Sequence, residues 1–142
     1  MSNEELEGRE NFFDGEYVEN LTRKNFKKNR VIWDQEKGLP DAGGFIMVYA
    51  GWCETCHAMR DWFLELSTWW ENDIYFGGIN SMHVEEGNDK LCVTLNVNGY
   101  PAFFGVSLNG KLIQYNGSLD REEVYEWMTI FREKLFEQRY YE

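Results

Sequence analysis

Cys53 and Cys56 form a C-x-x-C pair directly before a run of helix-periodic residues, and His57 follows the second cysteine. At the first turn of a helix such a pair puts both sulfurs on one side, near enough to close a disulfide. The unpaired N–H groups and partial positive charge of a helix N-terminus favour a thiolate, so Cys53 is expected to be an exchange-ready nucleophile. Cys56, one turn further in, is expected to be less exposed and to attack the mixed disulfide that Cys53 forms with a substrate. Three other chemistries fit the same residues. Half of a zinc site needs two more ligands, for which Cys92, His57 and His83 are the obvious candidates, none of them in a second paired knuckle. Cys53-Glu54-Thr55-Cys56-His57 also matches the C-x-x-C-H attachment signature of c-type haem, with His57 as axial ligand. An inert pair of packed cysteines is the fourth reading. The haem reading fits poorly with a buried strand running straight into the motif and with the strong β content.

The elements around the pair are legible from periodicity. Phe45 to Ala50 is continuously apolar, as a strand covered on both faces must be. From Cys53 onward the period becomes helical, with Met59, Trp62, Phe63, Leu66 and Trp69 or Trp70 on one face. Ile74 to Ile79 reads as a second buried strand, and the segment around Leu91, Cys92 and Leu95 as a short helix. Strand, helix, strand over this distance implies parallel pairing. Ala102–Leu108 and Lys111–Tyr115 flank Asn109-Gly110, a strong type I′ hairpin signal. Asp120-x-x-Glu123 has capping-box form before a helix lined by Val124, Trp127, Met128, Phe131 and Leu135. Upstream, Tyr17 to Leu21 alternates like an edge strand. Thr22 is placed to cap a helix carrying Phe26, Val31 and Trp33, with the basic run Arg23, Lys24, Lys27, Lys28 and Arg30 as its solvated face. The expected order is β-α-β-α-β-α-β-β-α.

Composition narrows the function. The 142 residues suit one domain, and 43% hydrophobic with 17% aromatic content is that of a folding chain. Residues 1–15 read as an acidic disordered tail and residues 16–142 as the domain. A net charge of −11 disfavours nucleic acid and anionic membranes as partners. The longest apolar run is far short of the roughly 18 residues of a membrane span. The acidic start has no apolar stretch after it, so a cytoplasmic location is expected, or a secretory-pathway lumen if the chain is a piece of a longer one.

Several motifs fall together in order. They are Leu21-Thr22 with Asn25-Phe26, Val48-Tyr49-Ala50-Gly51-Trp52-Cys53, Leu91-Cys92, Val97-x-Gly99-Tyr100-Pro101 and Tyr115-x-Gly117. In this the chain resembles the thioredoxin superfamily, and most of all the catalytic domains of protein disulfide isomerases, over roughly residues 16 to 135. The resemblance implies an α/β thioredoxin fold, a central mixed sheet flanked by helices in a single domain. It implies a cis peptide at Tyr100-Pro101 beside the active site, and a shallow substrate surface of Trp52, Tyr100, Pro101 and the turn near Gly117. The implied activity is that of a thiol–disulfide oxidoreductase acting on disulfide-containing proteins, recycled by a redox partner of unknown identity, with no metal and no organic cofactor.

Three departures from the family pattern modulate that expectation. Glu54-Thr55 stands between the cysteines in place of Gly-Pro or Gly-His, so the cation that supports the isomerase thiolate is missing there and oxidising power should fall. His57 is a partial substitute or a surface histidine. Met47, six residues before Cys53, replaces the family's buried carboxylate and cannot move a proton. Cys92 is an extra thiol, read as a small buried hydrophobe or as a site of regulatory oxidation. The rival to the enzyme is a module that holds polypeptide on the same surface with little redox turnover.

Overall fold

The computed structural model describes residues 9–35 and 43–141, with backbone alone for Tyr140 and Tyr141. Strand β4 (Gly44–Tyr49) is the centre of a five-stranded sheet. It pairs in parallel with β5 (Tyr75–Asn80) and antiparallel with β6 (Ala102–Val106). Two short edges complete the sheet: β1 (Glu19–Asn20), parallel to β5, and β7 (Leu112–Gln114), antiparallel to β6. Three helices flank it: α1 (Glu54–Trp70), α2 (Asn88–Thr94) and α3 (Arg121–Tyr141).

Side chains alternate across the sheet, and the core divides accordingly. Phe45, Met47, Tyr49, Phe76 and Phe103 face Cys56, Phe63 and Leu66 of α1 and Val124, Met128 and Leu135 of α3. Ile46, Val48, Ile79, Phe104 and Val106 face Leu21, Val31 and the α2 residues Leu91 and Cys92. The two glycines of β5 follow the same alternation. A Cβ on Gly77 would sit 2.4 Å from Leu21 Cδ1, and one on Gly78 would sit 2.8 Å from the Phe13 ring, so these elements approach because the strand has no side chains there. Of the two neighbouring tryptophans at the end of α1, Trp70 is the core residue, whereas Trp69 is 62% exposed.

The expected helix after Thr22 does not form. A 3-10 turn (Arg23–Asn25) leads into an antiparallel hairpin of β2 (Phe26–Lys27) and β3 (Arg30–Val31). Lys28 and Asn29 at its tip have φ of +52° and +63°, the left-handed pair that a two-residue type I′ turn requires. Phe26 and Val31 thus meet across a ladder, not along a helix. Asn25 reinforces this, its Oδ1 accepting from Thr22 N–H at 3.0 Å and its Nδ2 donating to Ile32 O at 3.1 Å. The basic run is therefore spread over the turn and the hairpin. Val31 N–H reaches Gly110 O at 2.9 Å, docking the hairpin on the β6–β7 turn.

That turn also departs from expectation. Only Gly110 has positive φ, +85°, and Gly110 N–H bonds Ser107 O at 2.9 Å, so the loop is a Ser107–Gly110 turn with the glycine in a bulge position. At α3 the cap is Asp120 Oδ1 accepting from Glu122 N–H at 2.8 Å.

The acidic start is another correction. Residues 1–8 lie outside the described residues, but residues 9–15 pack on the body. Phe12 and Phe13 are buried in the core. Phe12 N–H donates to Tyr49 OH at 3.0 Å, and its ring stacks on Tyr49 at 4.0 Å. Asn80 Nδ2 donates to Arg9 O, Glu10 O and Asn11 Oδ1. Burial of the two adjacent phenylalanines ties this acidic segment to the body. Phe12→Ala should therefore cost about 3 kcal/mol in urea unfolding, in the range for buried aromatic truncation. A loss within about 0.5 kcal/mol, as for a solvated surface position, would show the segment to be a tail after all.

Candidate active site

β4 ends at Tyr49, and the chain turns through Ala50, Gly51 and Trp52 into α1. Cys53 N–H bonds Ala50 O at 3.1 Å, closing the turn, and Cys53 becomes the N-cap residue of the helix. Cys56 N–H then points at Cys53 Sγ at 3.2 Å. Both are thiols in this structure. The Cys53 thiol donates to Tyr100 O at 3.5 Å, across from the Tyr100-Pro101 peptide, which is cis. A sulfur at a helix N-terminus with an N–H aimed at it is well placed to carry negative charge while exchange proceeds.

Accessibility separates the two sulfurs less than the sequence suggests. Cys53 is 6% exposed and Cys56 fully buried, so a substrate must approach Cys53 through a narrow opening. Trp52, 68% exposed, stands beside that opening with its ring edge-on to Tyr100 at 5.7 Å. Glu54 and Thr55 are exposed on the first turn of α1. Gly117 lies in the loop before α3 under the Tyr115 ring, whose hydroxyl donates to Ser118 O at 2.5 Å, and its contacts are with Tyr115.

Burial pushes the Cys56 thiol well above the ordinary thiol range, and its contact with Cys53 adds to the rise. Among the described residues, those packed around it are poor proton acceptors. Met47 is fully buried in the same cluster. Tyr49, which sequence reasoning did not single out, presents its hydroxyl on this side, and burial raises it to about 12 against the pull of the Phe12 N–H. His57 is turned away: Nε2 lies 2.7 Å from Gly51 O, and since a carbonyl only accepts, this nitrogen carries the proton. Its ring rests 4.7 Å from Phe12. A tyrosine inside an apolar strand and a Phe-Phe pair in an acidic segment were the available signals for this layer.

Cys92 is buried on the other face of the sheet, behind Tyr100. Burial raises its thiol to about 11, partly offset by a hydrogen bond with the Tyr100 side chain. It thus lies across the sheet from the pair, and among the described residues no group of three His, Cys, Asp or Glu side chains is placed to hold a metal ion.

The thioredoxin family model matches residues 18–130, and the chain belongs to that family. Two plant protein disulfide-isomerases are similar in sequence. That of Datisca glomerata is 31% identical over 88 residues, 61% of this chain and 17% of its own length; that of Medicago sativa is 28% identical over 91 residues, 63% and 17%. The chain thus spans about a sixth of the length of the curated relatives it matches. Among solved structures, thioredoxin f from spinach chloroplast in its short form superposes with a TM-score of 0.62 at 18% identity, covering 81% of this chain and 93% of that one. The J-Trx1 fragment of ERdj5 gives 0.57 at 22%, covering 84% and 54%.

With Cys56 held protonated and no ready acceptor among the described residues packed on it, resolution of a mixed disulfide by Cys56 is expected to wait for rare ionisation. Below a thiol's pKa the thiolate fraction rises tenfold per pH unit, so the resolving rate should climb from pH 6 to 9 without a plateau. Met47→Glu should flatten that slope by supplying an acceptor, at a stability cost of several kcal/mol measured alongside. A fast, pH-independent step in the unaltered protein would mean that another group moves the proton.

Proposed function

We propose that the chain is a thiol–disulfide oxidoreductase domain that reduces or exchanges disulfides in protein substrates. The observation that carries it is the placement of Cys53 Sγ between the Cys56 N–H, at 3.2 Å, and Tyr100 O, at 3.5 Å, at the mouth walled by Trp52. In the reducing direction the Cys53 thiolate attacks a substrate disulfide. One Cys53–substrate S–S bond forms as the substrate S–S breaks, and the first substrate sulfur leaves as a thiolate and takes up a proton. Cys56 then loses its proton and attacks Cys53 Sγ. The second substrate thiol departs, and the Cys53–Cys56 disulfide holds the two-electron oxidation. Trp52, Tyr100 and Pro101 offer the apolar and backbone surface for an extended polypeptide. A dithiol reductant must restore the pair. A solved relative, thioredoxin f2, is found in complex with ferredoxin:thioredoxin reductase, and a reductase partner of that general kind fits this site.

The exposure of Trp52 next to a nearly closed Cys53 also suits a second reading, a module that holds polypeptide with little turnover. Insulin reduction by dithiothreitol separates the two. The oxidoreductase accelerates it, Cys53→Ser abolishes the acceleration, and Cys56→Ser accumulates mixed disulfides on Cys53. An unaltered protein without activity would leave the holding module as the better reading, and a fully active Cys53→Ser variant would refute the assigned roles.

Glu54 bears on the potential. A carboxylate on the first turn beside Cys53, with no cation between the cysteines, stabilises the reduced pair less than the isomerase motif does. The disulfide should therefore have a potential nearer about −270 mV than about −180 mV. Equilibration with glutathione measures it: a value above about −200 mV would contradict this account, and Glu54→His should raise the potential.

A further inference from the structure

An open groove of about 340 Å³ runs between α1 and the first turns of α3 and does not include either active-site cysteine. Its walls are aromatic. Trp62 and Trp69, seven residues apart on one face of α1, stand opposite Tyr125 of α3. Two of the three rings are braced from behind, Trp62 edge-on to Phe103 at 6.2 Å and Tyr125 stacked on Trp70 at 5.9 Å. The third, Trp69, is left 62% exposed, nearly as much as Trp52 at the redox mouth. Glu65 and Glu122 also line the groove, against one arginine, Arg121, so its charge is net acidic.

Further along the same seam the protein fills a comparable slot with its own cation. The Arg132 guanidinium lies 4.9 Å from the Trp70 ring centroid and pairs with Asp73 at 2.6 Å. An indole face and a carboxylate together suit a cation because the ring quadrupole and the charge attract it in the same direction.

We propose that the groove binds a cationic side chain, lysine or arginine, presented by a basic polypeptide. The net charge of −11 draws such a partner to the surface, and the aromatic walls provide the specific seat. An uncharged apolar segment would gain from the rings but nothing from Glu65 and Glu122. The proposal does not depend on the thiol chemistry.

The test uses the full chain and two blocked peptides, one alternating glycine with arginine and a control alternating glycine with glutamine. Indole N–H signals in NMR spectra, assigned by single Trp→Phe variants, report on each tryptophan separately. The arginine peptide should move the Trp62 and Trp69 signals saturably and more weakly as salt rises, while the glutamine peptide leaves them in place. Trp69→Leu keeps apolar bulk without a π face and should weaken binding by about fivefold or more, whereas Trp69→Phe should stay within about twofold. Glu65→Gln and Glu122→Gln together should weaken it further. Trp69 is exposed enough that both of its variants should fold, and unfolding curves check that. Equal shifts with the glutamine peptide, unmoved Trp62 and Trp69 signals at millimolar arginine peptide, or a Trp69→Leu variant that binds like the unaltered protein would overturn the proposal.

Discussion

Strand β4 is buried along its whole length, and the rest of the molecule is arranged around that constraint. A strand with apolar side chains on both faces must be covered twice and paired on both edges. α1 and α3 cover the side of Phe45, Met47 and Tyr49, while α2 and the β2–β3 hairpin cover that of Ile46 and Val48. Because β4 is pinned in this way, the point where it ends is fixed too. There the chain passes through one tight turn into α1, which puts Cys53 at the helix N-terminus.

The redox pair thus sits where three rigid pieces meet: the end of β4, the start of α1 and the Tyr100-Pro101 approach to β6. Tyr100 ties them together. Its carbonyl accepts from Cys53, its ring meets Trp52, and its side chain reaches Cys92 on the opposite side of the sheet. The segment around Phe12 closes the remaining side. It stacks on Tyr49 and rests against His57, whose ring is bonded to Gly51 in the turn before Cys53. The histidine next to the second cysteine of the pair here serves the shape of the loop and has one nitrogen committed to a carbonyl.

The long elements were legible because β4 is an unbroken apolar run and α1 and α3 keep a helical period, and the C-x-x-C was legible because the change from strand to helix pattern falls at it. The misreadings share a cause. From Thr22 to Trp33 the residues Phe26, Val31 and Trp33 lie five and two apart, which is no helical spacing, and two left-handed residues, neither of them glycine, make the turn. Asn29 is a type that tolerates positive φ; Lys28 gives no such signal. In the acidic start, average polarity masked the two phenylalanines: Phe12 stacks on Tyr49, and the approach of Phe13 depends on the absence of a side chain at Gly78, far along the chain. Contacts of that kind leave no local period.

The substitution at Met47 and the surroundings of Cys56 act on different quantities. Cys56 is uncharged in both stable forms of the pair, as a thiol in the dithiol and as half of the disulfide. A dry wall of Met47 and a protonated Tyr49 therefore penalises neither end state. It penalises the thiolate that exists only in passing between them, because a charge in apolar surroundings costs what a neutral sulfur does not. The equilibrium between dithiol and disulfide is instead open to influence at Cys53, where the partial positive charge of the helix N-terminus and the Glu54 carboxylate both act on the sulfur. Potential and resolving rate are in this way separable within a single four-residue motif. A change beneath Cys56 alters how long a mixed disulfide persists, and so how long a polypeptide stays attached, without by itself changing which way electrons flow.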